Sequence, residues 1–462
     1  MSNDIVAALQ DIVGERHVLT GDAVADIEFP WGTHSGCAAR AIVKPATTEE
    51  VAAIMRCCNL AGQTVVPFGG LTNLVQGCAT TADDIVLSLA RMNLIEDVDR
   101  SAGTITAQAG VTLHAAQEAA AAANLFFPVD IGARASCQLG GIVSNNAGGN
   151  KVIRYGMTRD TVLGLEAVLA DGTVISSMNR YIKNNSGFDL KHMFIGSEGV
   201  LGVITRLVFR LRATARSHNV ALLACKNFDD VVAILEIANR TLPNTISAFE
   251  VMWNSFYELV VQPRGRLVPP LEPGAAQYVL IETMGVDQEH DTAAFEALLE
   301  DLMEQDLLVD GVLAKSDRER ELIWEIRDEV EPVIGGAHNF DVSLRSADVG
   351  EYVSQVETAI VRLLPEANVV GFGHLGDNNV HISVSNVVWD DDRIRQVEEQ
   401  VYGCLAPFAG AISAEHGIGL EKRAYLPVSR SPAEIELMKS LKRMLDPNNI
   451  LNPGKVVDVA QR

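Results

Sequence analysis

"LGGIVSNNAGGNKVIRYGMTRDTVLGLEAVLADG", residues 139–172, places four glycines and two asparagines in its first eleven positions, then runs into a β-rich stretch turning at Asp171-Gly172. Glycines let a backbone approach a ligand closely. Successive N–H groups beside them make a concave anion site that needs no lysine. Alone, such a stretch reads as a tight turn. It is not alone: "PFGGLTNL" (67–74) and "IGSEGVLGVIT" (195–205) repeat the composition within the same half of the chain. The three together point to a nucleotide cofactor with a diphosphate.

The 462 residues are enough for two or three packed units. Hydrophobic residues at 48% and charged residues at 21% describe a globular protein. A net charge of −23 argues against nucleic acid or an anionic membrane as the main partner. It leaves room for an anionic substrate, since one buried arginine can outweigh a diffuse surface field. No apolar run approaches the roughly 18 residues of a membrane span. The seven cysteines show no C-x-x-C, and the acidic start has no secretory pattern, so the expected location is the cytoplasm.

Residues 47–62 predict a helix with a Thr start, acidic first turn and Gly stop, and residues 111–125 an alanine-rich one. Hairpins are expected around Ser101-Ala102-Gly103 and Asp171-Gly172. From residue 217 onward strands ("VALLAC", "YVLIET", "NVVGFGHL", "VHISV") alternate with helices at 228–240, 291–305, 317–331, 347–364, 390–405 and 431–446, with a proline-rich loop from Pro263 to Pro273. This is an α+β pattern in two units, with the boundary near 215.

"GHLGDNNVHISV" (373–384) holds two of the ten histidines. Gly371-Phe372-Gly373-His374-Leu375-Gly376 fits G-x-G-x-x-G, but a strand follows instead of a helix, which excludes a dinucleotide fingerprint. A hairpin turning over Gly376–Asn379 would set His374 opposite His381, Cβ atoms roughly 5 Å apart. From the residues alone, a plain hairpin and a divalent-metal site remain equal readings.

Six motifs in order, "PFGGLTNL", "LGGIVSNNAGGNKVIRYGMTRDTVLGLEAVLADG", "GSEGVLGVIT", "GHLGDNNVHISV", "EHGIGLEKRAYL" and "DPNNILNPGK", make the chain resemble the FAD-dependent 2-hydroxyacid dehydrogenases of the vanillyl-alcohol-oxidase flavoprotein superfamily, closest to the D-2-hydroxyglutarate and D-lactate dehydrogenase branch. The resemblance implies a two-subdomain FAD-binding domain over residues 1–215. It implies an α+β cap domain with an antiparallel sheet and the metal site over 216–450, and a C-terminal segment, 451–462, returning to the FAD domain.

Carried over, Pro67, Gly69, Gly70, Thr72, Asn73 and Leu74 hold the diphosphate. Gly140, Gly141, Asn146, Gly148, Gly149, Glu198, Gly199 and Asn452 line the rest. Relatives with covalent flavin use a histidine in the first loop; none occurs between Gln63 and Thr112, so noncovalent FAD is expected. The metal triad falls on His374, His381 and Glu415, a donor set suiting Zn²⁺ over Mn²⁺. His416 becomes the general base. Arg327, otherwise readable as a surface partner of Glu331, becomes the substrate-carboxylate clamp, with Asn379 beside it.

The match departs at the second carboxylate of hydroxyglutarate. Glu331 and Asn339 stand where that branch has threonine and lysine, Ser383 replaces an asparagine, and Arg345 stands where relatives often have proline and could substitute. The implied reaction is oxidation of a D-2-hydroxyacid (D-2-hydroxyglutarate, D-lactate or D-malate) to the 2-oxoacid. Hydride passes to flavin N5 and electrons leave to an electron-transfer flavoprotein or quinone. A homodimer is compatible with this. The alternatives are the flavin subunit of a multi-subunit glycolate-type oxidase and, less favoured, a non-catalytic flavin-binding protein.

Overall fold

The computed structural model describes residues 5–29, 36–261 and 269–459. Residues 262–268, the first part of the expected proline-rich loop, lie outside them. Two compact units divide the chain: Met1–Gly148 with Met157–Thr214 and Glu415–Arg462, and Gly149–Gly156 with Ala215–Ala414. The return to the first unit thus starts at Glu415 and not at residue 451, and a short piece of the glycine-rich stretch belongs to the second unit. The early return has a local cause. The Glu198 carboxylate accepts the amides of Ile418 at 2.7 Å and Gly419 at 2.8 Å, and the Val75 carbonyl takes that of Leu420 at 3.1 Å.

In the first unit, strands Ala41–Val43, Ile85–Ser88 and Val65–Phe68 pair in parallel, with helix Thr48–Ala61 as the crossover. That helix begins where predicted, the Thr47 hydroxyl accepting from the Glu50 amide at 3.2 Å, and stops at Gly62, whose φ of 62° is left-handed. It buries Val51, Ile54, Met55 and Cys58, each large aliphatic side chain contributing about 1.5–3 kcal/mol of burial. A five-stranded antiparallel sheet follows in the order Ile95–Asp99, Thr104–Gln108, Val203–Arg210, Val162–Val168, Val174–Ser177, with both expected hairpins in place.

The second unit is one seven-stranded antiparallel sheet: Asp310–Leu313, Ser217–Cys225, Gln277–Gly285, Ile246–Trp253, Asn368–Gly373, Asn379–Ser385, His338–Ser343. Three of these strands, Asp310–Leu313, Ile246–Trp253 and His338–Ser343, escape the sequence reading. The last two each carry an acid in mid-strand, Glu250 and Asp341, both buried. A lone acid in an apolar run disguises a core strand until its partners are known.

The C-terminal motif is fixed to the first unit by a buried ion pair. Lys442 Nζ donates to Asp446 at 2.6 Å and to the carbonyls of Val200 at 3.0 Å and Leu451 at 2.5 Å, while Asp446 accepts the amides of Ile450 and Leu451. Leu451 then bridges to Val65, and the Asn452 amide donates to the Val65 carbonyl at 2.7 Å. Burial pulls the Lys442 ammonium below the usual lysine range against the pull of Asp446. Asp446→Ala strands that cation, so chemical denaturation should show a loss of roughly 3–5 kcal/mol; a loss under about 1 kcal/mol would mean the pair is not what anchors the motif.

Candidate active site

A cleft in the first unit is lined by the strand-end loop Pro67–Leu74, by Gly140 and Gly141, by Glu198 and Gly199, and by Asn452. Glu415 and His416 line the same cleft, so the expected base and one expected metal ligand face the glycine loops. Asn146, Gly148 and Gly149 do not line it. Asn146 instead ends the helix Leu139–Asn145 with a φ of 50°, its side chain accepting from the Arg159 amide at 2.9 Å. A Cβ on Gly148 would come within 3.3 Å of a Glu415 carboxylate oxygen, so that glycine makes room for the glutamate.

The glycines separate by cause. On Gly70 a Cβ would sit 2.0 Å from the Ser136 carbonyl oxygen, and on Gly140 2.8 Å from Ala109 Cβ; packing explains both. On Gly141 and Gly132 a Cβ would meet nothing within 4 Å, and on Gly69 nothing nearer than the Gly141 Cα at 3.7 Å. All three line the cleft. Packing within the protein does not demand glycine there, and the open space leaves room for a bound molecule to approach the backbone closely.

Two buried amide oxygens, Gln138 Oε1 and Asn452 Oδ1, also line the cleft and have no hydrogen-bond partner among the described residues. Buried acceptors left this way are completed by a ligand that donates. Asn73 braces its own loop, its Oδ1 accepting from Val75 at 3.0 Å and Gly77 at 2.7 Å. Glu198 is a strut: burial pushes its carboxyl up, partly offset by the Ile418 and Gly419 amides. Cys78 in the cleft wall is no nucleophile, burial having pushed its thiol up to about 12.

The second unit carries a separate cluster. Arg327 is 4% exposed, on helix Asp317–Asp328, and its Nε donates to Glu250 at 2.8 Å. It is therefore no surface partner of Glu331. Among the described residues nothing accepts from its terminal nitrogens, and its guanidinium carbon lies 5.2 Å from the Phe372 ring centre. The same Glu250 carboxylate takes His374 Nδ1 at 2.8 Å. Burial would push Glu250 up; His374 and Arg327 outweigh it and hold the carboxyl below the ordinary range.

The turn between the histidines differs in register from expectation. His381 lies opposite Phe372, and His374 is the residue after the strand Asn368–Gly373. The shift is by two positions, an even number, so both imidazoles stay on one face. Their ring centres are 5.3 Å apart at 84°. A donating Nδ1 on Glu250 leaves the ring lone pair of His374 on Nε2, the carboxylate–histidine arrangement found behind metal-ligating imidazoles. Asn379 is buried, with an Oδ1 that has no partner among the described residues.

Arg345 departs from its expected role. Its side chain is 81% exposed and held by both carboxylate oxygens of Asp348, at 2.7 and 2.9 Å. Asn339 is tied to Ser383, whose hydroxyl donates to it at 2.6 Å, and donates itself to the carbonyls of Ile334 and Ala337. Glu250 is the functional residue the sequence reading missed. Its signal was a single acid inside the apolar run "ISAFEVMW" (246–253), which must be paired if buried.

Two family models match the chain: "FAD binding domain" over residues 39–177 and "FAD linked oxidases, C-terminal domain" over 214–456. The chain belongs to this family of flavoprotein oxidoreductases and is an FAD-dependent enzyme. A rice protein named probable D-2-hydroxyglutarate dehydrogenase, mitochondrial, is 36% identical, covering 99% of this chain and 82% of its own. A Schizosaccharomyces pombe protein named putative D-lactate dehydrogenase, mitochondrial, is 38% identical, covering 90% and 81%. A Saccharomyces cerevisiae D-2-hydroxyglutarate–pyruvate transhydrogenase is 34% identical, covering 97% and 94%. In fold, p-cresol methylhydroxylase matches with a TM-score of 0.79 at 17% identity over 99% of this chain and 97% of that one.

The cytoplasmic expectation is corrected by these names, since the rice, S. pombe, Arabidopsis and bovine relatives are called mitochondrial. All seven cysteines are free. Free thiols separate reducing from oxidising compartments and cannot tell one reducing compartment from another. Among the described residues no helix is long and apolar enough to cross a membrane.

Gly141→Leu tests the reading of the cleft. It should leave thermal stability within a degree or two, because its Cβ meets nothing, yet weaken FAD binding on the order of tenfold or more, read by flavin absorbance after gel filtration. Unchanged flavin content would place the cofactor elsewhere.

Proposed function

We propose that the protein oxidises a D-2-hydroxyacid to the 2-oxoacid, with noncovalent FAD and one divalent metal ion, zinc before manganese. The observation that carries the reading is the shared use of Glu250. One buried carboxylate aims an arginine suited to a carboxylate and an imidazole suited to a metal into the same neighbourhood. The relatives' names supply the acid class and the hand.

When bound, FAD supplies a two-electron acceptor and the ion a Lewis acid. Gly69, Gly132, Gly141, Gln138 and Asn452 would hold the flavin. The first loop has no histidine and Cys78 stays a thiol, so no covalent bond forms. His374 and His381 would hold the metal with Glu415 as third ligand. Asp341 lies directly opposite His381 and accepts the Ala414 amide at 2.9 Å, and Glu415 is the next residue along the chain.

Arg327 binds the substrate carboxylate through its terminal nitrogens, its orientation fixed by Glu250. Asn379 would contact the substrate through its buried side-chain amide. His416 takes the hydroxyl proton; its Nε2 lies 3.6 Å from the carboxylate of Glu415, beside the third metal ligand. Bound FAD would supply the acceptor for the two electrons, and a carrier such as an electron-transfer flavoprotein or quinone would take them on. With Asn339 engaged and Arg345 exposed and paired, neither of these two positions offers a ready cation to the second carboxylate of hydroxyglutarate, which favours acids with an uncharged tail.

His416→Ala should retain FAD and metal while slowing flavin reduction on the order of 100- to 10,000-fold. Reduction at the wild-type rate would remove His416 as the base. Chelation should abolish turnover and leave the flavin bound, with recovery on adding zinc or manganese. Full activity in a protein shown by elemental analysis to be metal-free would end the metal assignment.

A further inference from the structure

The piece of the glycine-rich stretch that belongs to the second unit, Gly149–Gly156, is short and touches both halves of the Arg327–histidine cluster. Lys151 Nζ is ion-paired with Glu282, a buried acid on strand Gln277–Gly285. The other Glu282 oxygen accepts from Trp324 Nε1 at 2.9 Å, and Ser247 Oγ donates to the first at 2.5 Å. Lys151 Nζ also lies 5.0 Å from the Trp324 ring centre. Trp324 precedes Arg327 by three residues on the same helix, which is one turn and the same face.

The second arm is Ile153. Gly376, in the turn between His374 and His381, has Ile153 Cδ1 only 2.5 Å from where a Cβ would stand. The isoleucine packs directly on that glycine, and a Cβ there would have to displace its side-chain end. Arg154 completes the attachment, donating to the carbonyls of Met284 and Thr245.

We propose that Gly149–Gly156 is a positioning clip for substrate recognition. Lys151, through Glu282 and Trp324, sets the rotation of the helix bearing Arg327, and Ile153 sets the height of the turn bearing the histidines. None of these side chains touches substrate in this account; they act through residues that do. Orientation of a bidentate clamp is sensitive to small displacements, so loosening the clip weakens binding of the acid before it affects flavin or fold. The inference rests on Arg327 being the carboxylate clamp, and the test separates the two.

Trp324→Phe removes one hydrogen bond and keeps the ring; Ile153→Ala removes the second arm. Each holoenzyme is assayed with D-lactate and with D-2-hydroxyglutarate as probes, alongside Arg327→Lys, and Tm and flavin content are recorded. The clip predicts KM raised on the order of threefold to tenfold with kcat, Tm and flavin content held. The double variant should raise KM further. If Arg327→Lys raises KM and both clip variants leave it unchanged, the clip is refuted and the clamp stands. If Arg327→Lys leaves KM unchanged, the clamp itself fails. Parallel losses of Tm, flavin and kcat in the clip variants would make the segment merely structural and refute the proposal.

Discussion

A single buried carboxylate, Glu250, organises the second unit's chemistry. It sits 1% exposed in the centre of a seven-stranded sheet, where an unpaired charge would cost several kcal/mol. Its two partners, Arg327 and His374, are the groups that the proposed hydroxyacid site would use, one for a carboxylate and one for a metal. The strain of burying the acid and the orientation of the site are therefore one problem with one solution. Neither the arginine nor the imidazole can swing away without taking one of the two partners of Glu250.

The first unit solves a different problem, that of making a cradle from backbone. Glu198 reaches from one glycine turn to the amides of another, Asn452 Nδ2 donates to the Glu198 carbonyl at 2.9 Å, and the buried Lys442–Asp446 pair holds the C-terminal motif in place. Motifs more than two hundred residues apart in sequence meet here because each supplies what another lacks, an acceptor for stranded amides or a cation for a stranded acid. The turn that Glu198 pins is the one following His416, so the strut that shapes the cleft also fixes His416 at its wall.

Much of this was legible in the sequence where local chemistry decides. The helix over residues 48–61 announces itself by Thr47 and Gly62, and the hairpins by their turns. The glycine loops were readable as a cofactor site, though not which glycine served packing and which the ligand, because that depends on what a Cβ would meet. The histidine turn was placed correctly and its register was not: a tight 3₁₀ turn over Leu375–Asp377 moved the pairing by two residues. Strands Ile246–Trp253 and His338–Ser343 were hidden by their own acids. Arg345 looked available although Asp348, only three residues on, takes it, while Arg327 looked like a surface partner because its true partner is 77 residues away.

The most direct test is anaerobic mixing of the purified flavoprotein with matched D- and L-2-hydroxyacids while following the flavin absorption band. At least one D-acid should bleach it rapidly and its L-enantiomer should not. Bleaching by the L-series alone, or by no 2-hydroxyacid while dithionite reduces the flavin fully, would contradict the proposed function.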